Sequence, residues 1–172
     1  MSRLSFSIIL FGILLITGAC SEPPDFSDEP VISFLYFTKD TVNQGGIGSG
    51  EVVTLAIAFE DGDGDLGDAQ DSLNLYMEDK RVRQTLEPSE ASYRYRIPLI
   101  PEQGSTKGIS GEIYVDINTG APICCISPLI PNVCEPSDLY PIDTITFLVQ
   151  IKDRSGNLSN VLETDPLYML CN

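Results

Sequence analysis

The chain has 172 residues, 25 of them acidic and 10 basic, and it contains neither histidine nor tryptophan. A net charge of −15 argues against binding nucleic acid or adhering directly to anionic lipid, both of which favour basic patches. The absence of histidine removes Ser-His and Cys-His nucleophiles and every imidazole metal ligand.

The chain opens with Arg3, an apolar run from Phe6 to Ile16, and the small residues Thr17, Gly18 and Ala19 before Cys20. A spanning helix needs about 20 apolar residues, so residues 1–19 read as a signal peptide instead. The segment "LITGAC" (Leu15 to Cys20) resembles the lipobox of bacterial lipoproteins, although Thr17 stands where Leu is usual. That resemblance implies that Cys20 is acylated and becomes the mature N-terminus, lipid-anchored in a bacterial cell envelope at the outer membrane; an ordinary secretory signal is the alternative. Each buried acyl CH₂ contributes roughly 0.8 kcal/mol, so several chains anchor stably to a membrane. Removing residues 1–19 takes away Arg3 and no acid, so the charge becomes −16. Residues 20–30 then form the acylated cysteine and a flexible tether rich in Pro, Ser and acids. Residues 31–172 are expected to form one domain.

From Val31 onward the pattern is β. "VISFLYF" (Val31 to Phe37) is β-branched and aromatic. "EVVTLAIAF" (Glu51 to Phe59) alternates, with Val53, Leu55, Ile57 and Phe59 on one face. "SLNLYME" (Ser72 to Glu78) sets Leu73, Leu75 and Met77 against Asn74 and Tyr76. "SYRYRIPLI" (Ser92 to Ile100), "GISGEIYVDI" (Gly108 to Ile117), "DTITFLVQI" (Asp143 to Ile151) and "NLSNVLETDPLYML" (Asn157 to Leu170) complete the series. Period-two alternation marks half-buried strands. About seven of them predict an all-β, two-sheet antiparallel sandwich. "FLVQIKDRSGNLSNVLET" (Phe147 to Thr164) resembles the last two strands of bacterial immunoglobulin-like and fibronectin-like domains. "AFEDGDGDLGD" (Ala58 to Asp68) resembles a segment of Bacteroidetes lipoproteins. The resemblance implies an immunoglobulin-like sandwich and no particular activity.

A long cysteine-containing loop, "NTGAPICCISPLIPNVCEPSDLYP" (Asn118 to Pro141), precedes the sixth strand. Its apolar residues Ile123, Ile126, Leu129 and Ile130 either cover a sheet edge or meet a partner. Vicinal cysteines rarely bridge each other, so one of Cys124 and Cys125 is expected to pair with Cys134 and the other with Cys171. An all-thiolate zinc site is the alternative, but adjacent cysteines are poorly spaced for it.

"FEDGDGDLGDAQD" (Phe59 to Asp71) packs five aspartates and three glycines into thirteen residues. Asp61, Asp63 and Asp65 share the spacing of the first three EF-hand ligands. Leu66 and Ser72 break the match where Gly and a bidentate Glu belong. In a sandwich this segment is the B–C loop and "DRSGN" (Asp153 to Asn157) is the F–G turn, which emerge at one end. Asp61, Asp63, Asp65, Asp68, Asp153 and Asn157 then form a candidate Ca²⁺ cage, with Arg154 as a competing partner for a carboxylate. The metal-free alternative is a solvated turn in a structural accessory module of an envelope complex. Thr41, Ser72 and Thr144 follow aspartates in a pattern resembling Bacteroidetes O-glycosylation sites, and Tyr93 and Tyr95 offer a sugar platform or core packing. The whole predicts a non-catalytic, lipid-anchored module for a protein or glycan partner. A small carbohydrate-active enzyme built on paired carboxylates is the remote alternative.

Overall fold

A computed structural model describes residues 26–45, 50–70, 72–101, 108–120, 123–126 and 138–171. Cys20, the signal sequence, Leu129, Ile130 and Cys134 lie outside the described residues. The described chain is all-β, without a helix, and has ten strands. These are β1 (Val31–Phe37), β2 (Thr41–Asn43), β3 (Val52–Asp61), β4 (Leu75–Asp79), β5 (Tyr93–Tyr95), β6 (Ile109–Asn118), β7 (Ile142–Ile145), β8 (Phe147–Ile151), β9 (Leu162–Glu163) and β10 (Leu167–Leu170).

The strands form three sheets, ordered β1-β3-β6, β2-β10-β7 and β5-β4-β8-β9. Every ladder is antiparallel except β2–β10, which is parallel. The count exceeds the expected seven because two long segments bend and because the short β2 lies outside the expected segments. Thr146 interrupts the run from Ile142 to Ile151, and Thr164 to Pro166 separates β9 from β10. Thr164 holds the second bend. Its hydroxyl accepts the Phe147 amide at 3.0 Å while its own amide donates to the Phe147 carbonyl at 2.9 Å. Pro166 has no amide hydrogen to continue the ladder.

The core follows the alternation of the two strongest strands. Val53, Leu55, Ile57 and Phe59 of β3 are buried, as are Ile145, Phe147, Val149 and Ile151. Ile109, Val115 and Ile117 of β6 meet them from the neighbouring strand, and Leu75 and Met77 from β4. Each fully buried aliphatic side chain of this size contributes about 1.5–3 kcal/mol. The alternation is not kept everywhere: β8 is buried along its whole length, and Leu73 is 51% exposed whereas Asn74 is buried. The named strand starts only at Leu75; Asn74 is bonded to both neighbours through its backbone, its amide donating to the Tyr95 carbonyl at 3.0 Å and its carbonyl accepting the Lys152 amide at 2.9 Å, while its buried side chain accepts the Ile97 amide at 2.6 Å. Tyr93 and Tyr95 are half-buried and pack against the core, so they offer no open sugar platform.

The described part of the long loop folds back onto the body. Ile123 joins the core, the Cys125 amide donates to Gln44 at 2.7 Å, and the Ile126 amide donates to Asp143 at 2.8 Å. Cys125 is bonded to Cys171 across a sequence separation of 46. Cys124 is also disulfide-bonded.

Candidate metal centre

β3 runs two residues further than its alternation indicates and ends at Asp61, at the floor of the aspartate loop. Asp61 is fully buried. Its Oδ2 accepts the Leu66 amide at 3.0 Å, which closes the loop over the carboxylate. Leu66 is itself fully buried and pins the loop to the core. It occupies the position where an EF-hand has glycine; the required turn is made instead by Gly64 at φ 70° and Gly67 at φ 82°. At Gly67 a Cβ would lie 2.2 Å from the Pro98 carbonyl oxygen, so both the backbone and the space demand glycine. Gly62 donates to the Ser27 carbonyl at 2.7 Å, which brings the N-terminal segment against the same loop.

The β8–β9 turn meets this loop. The Ser155 amide and hydroxyl donate to Asp65 Oδ2 at 2.9 and 2.6 Å. The Arg154 amide donates to the Asp65 carbonyl at 3.3 Å. The Arg154 guanidinium donates to the carbonyls of Leu66 (3.3 Å) and Gly67 (2.8 Å). Arg154 therefore ties the two loops through backbone carbonyls, and among the described residues it forms no ion pair with an aspartate. Within the turn, Asp153 accepts the backbone amide of Asn157 at 2.7 Å and its side-chain amide at 2.8 Å. Gly156, at φ 97°, makes that tight reversal.

The convergence gathers four carboxylates. One oxygen from each of Asp61, Asp63, Asp65 and Asp153 lies within 4.8 Å of the other three. Three buried oxygens, Oδ1 of Asp61, Asp63 and Asp65, have no hydrogen-bond partner. Burial pushes the Asp61 carboxyl up to about 6, with the charges of Asp63, Asp65 and Asp153 adding to it and the Leu66 amide opposing. Burial likewise raises Asp63, and the neighbouring Asp65 charge raises it further. All the donors are hard oxygens, with neither imidazole nor thiolate among them. This set could hold a hard cation and does not fit a soft metal.

The other two expected ligands differ in how they meet the cluster. Asp68 is outside the cluster because its carboxylate caps its own turn, accepting the Gln70 amide at 2.8 Å and the Ser72 hydroxyl at 2.5 Å. Those bonds, the Ser72 hydroxyl first, hold its carboxyl below the usual range, the reverse of Asp61. Asn157 acts on the site through Asp153, as the donor that orients it. Ser155 and Leu66 are the residues that motif matching passes over. The signal for Leu66 is one apolar side chain in a polar loop. No family model, curated protein or solved structure matches this chain.

Proposed function

We propose that the protein is a non-catalytic interaction module of a bacterial cell envelope, with an immunoglobulin-like sandwich whose loop end is stiffened by one Ca²⁺. The observation that carries the cation is the set of three buried, unpartnered carboxylate oxygens facing one another beside Asp153. Buried carboxylates without a partner are costly, and a hard divalent ion removes that cost. The sandwich reading is supported by strand order. The arrangement β1-β3-β6 corresponds to the A-B-E order of such domains, and β4-β8-β9 to their C-F-G order.

The membrane anchor rests on the lipobox-like "LITGAC" and on Cys20. Acyl incorporation that is lost in Cys20→Ala supports it; incorporation that persists refutes it. For the cation, thermal unfolding in about millimolar Ca²⁺ against chelator is decisive. At roughly a hundred times Kd a bound ligand adds about 2.7 kcal/mol, so the Tm rises in Ca²⁺. A Tm that is the same in both conditions ends the cation reading.

A further inference from the structure

The described cations of this acidic chain differ in their partners. Lys39, Lys80, Arg81 and Arg83 each sit against a carboxylate. Arg94, Lys152 and Arg154 form no ion pair among the described residues, although acids outnumber bases 25 to 10, and Arg154 is committed to the Leu66 and Gly67 carbonyls, which leaves Arg94 and Lys152. These two flank one spot. Arg94 is the cross-strand partner of Tyr76 in the β4–β5 ladder. Lys152 follows β8 directly on the other side of β4, its amide bonded to the Asn74 carbonyl at 2.9 Å.

Between them lies a cavity of about 360 Å³ with Tyr76 in its lining. Pro88 and Ser89 line one side, and Gly156 and Leu158 of the β8–β9 turn line the other. The Ser89 carbonyl accepts from the Arg94 guanidinium at 2.7 Å, which fixes the fork and leaves further donors free. The Lys152 ammonium has no hydrogen-bond partner among the described residues. The cavity also has an aliphatic rim, with Leu73 51% and Leu158 40% exposed.

A second cavity of about 320 Å³ continues past Lys152 to Arg154, Asp68 and Asp153. There Arg154 is committed to loop carbonyls and two carboxylates repel an anion. The anion-binding end is therefore the one between Arg94 and Lys152.

We propose that this groove binds a segment of a partner protein in which a carboxylate is flanked by aliphatic side chains. The carboxylate lies between Arg94 and Lys152 over Tyr76, and the aliphatic groups cover Leu73 and Leu158. Arginine offers a carboxylate a two-pronged donor and lysine a point charge. The aliphatic rim selects a peptide over an anionic sugar, whose hydroxyls would leave both leucines unmatched. The proposal rests on the interaction-module reading and gives that module its partner chemistry.

The test uses the mature chain against an array of octapeptides that mix one to three acidic residues with aliphatic ones. Matched basic peptides and an oligoglucuronate are included. Acidic–aliphatic peptides should bind, with affinity falling as salt rises. The double variant Arg94→Gln, Lys152→Gln should weaken them at least about tenfold, and Lys39→Gln, outside the groove, should leave them unchanged. Both replaced residues are exposed, and a circular dichroism spectrum like that of the parent confirms the fold. Peptide binding that the double variant does not move overturns the groove while the interaction module stands. Equal binding of basic peptides, tighter binding of the oligoglucuronate, or no peptide binding overturns the partner chemistry. Melting the same samples with Ca²⁺ and chelator reads the cation separately.

Discussion

Replacing Asp61 by asparagine should stabilise the metal-free protein and abolish most of its response to calcium. Asp61 is fully buried, and its carboxyl is pushed from 3.8 up to about 6. A shift of about two units corresponds to roughly 3 kcal/mol between the two protonation states. Because the folded value is raised, the stability contributed by the neutral carboxyl is complete below about pH 4. It is lost as pH rises through about 6. An asparagine keeps an oxygen for the Leu66 amide and presents an NH₂ group to the unpartnered oxygens of Asp63 and Asp65. In chelator at about pH 7.5, Asp61→Asn should therefore exceed the wild type by about 1–3 kcal/mol. Each kcal/mol moves Tm by about 2–4 °C for a domain of this size. Near pH 4.5 the gap should shrink, and in about millimolar Ca²⁺ at neutral pH the order should reverse. Urea unfolding under these conditions measures all three terms. A variant less stable than the wild type in chelator at neutral pH refutes the electrostatic reasoning.

Other positions test the scaffold. Gly67→Ala should cost roughly 2–3 kcal/mol, since it strains a positive φ and presses a methyl onto the Pro98 carbonyl; an unchanged urea midpoint contradicts this. Arg81 donates to both oxygens of buried Asp79 and to Asp143. Arg81→Ala should therefore cost about 3–5 kcal/mol by leaving a buried charge unpaired, whereas an exposed ion pair would cost under about 1 kcal/mol. Losing the Cys125–Cys171 bridge in Cys171→Ala should cost about 2–4 kcal/mol, read as a lower urea midpoint without reductant.

The central strands are legible in the sequence because their large core residues recur with a period of two, even in β8, which is buried on both faces. Val53, Leu55, Ile57 and Phe59 all point into the core. Where a polar side chain is buried with its own partner, the alternation misleads: Asn74 turns inward to accept the Ile97 amide, Leu73 is left exposed, and β4 starts three residues after the expected Ser72. The strand count fails at Thr146, where a bend inside an apolar run leaves no compositional mark, at Thr164 to Pro166, where the proline marks the break, and at the three-residue β2, which is too short to show a period. In the candidate site, Asp61, Asp63, Asp65 and Asp153 were accessible from loop topology alone. Asp68 was not separable from them, since its spacing is as good; its local bonds to Gln70 and Ser72 decide the difference. The tie through Ser155 and the docking of Ser27 on Gly62 depend on the folded backbone and have no sequence signature.

Isothermal titration of the mature chain with Ca²⁺ tests the central claim most directly, because the site draws ligands from two loops. One ion per chain should bind, and Asp153→Asn, on the second loop, should weaken it at least about tenfold. No binding, or binding that Asp153→Asn leaves unchanged, would contradict a cation held between the loops.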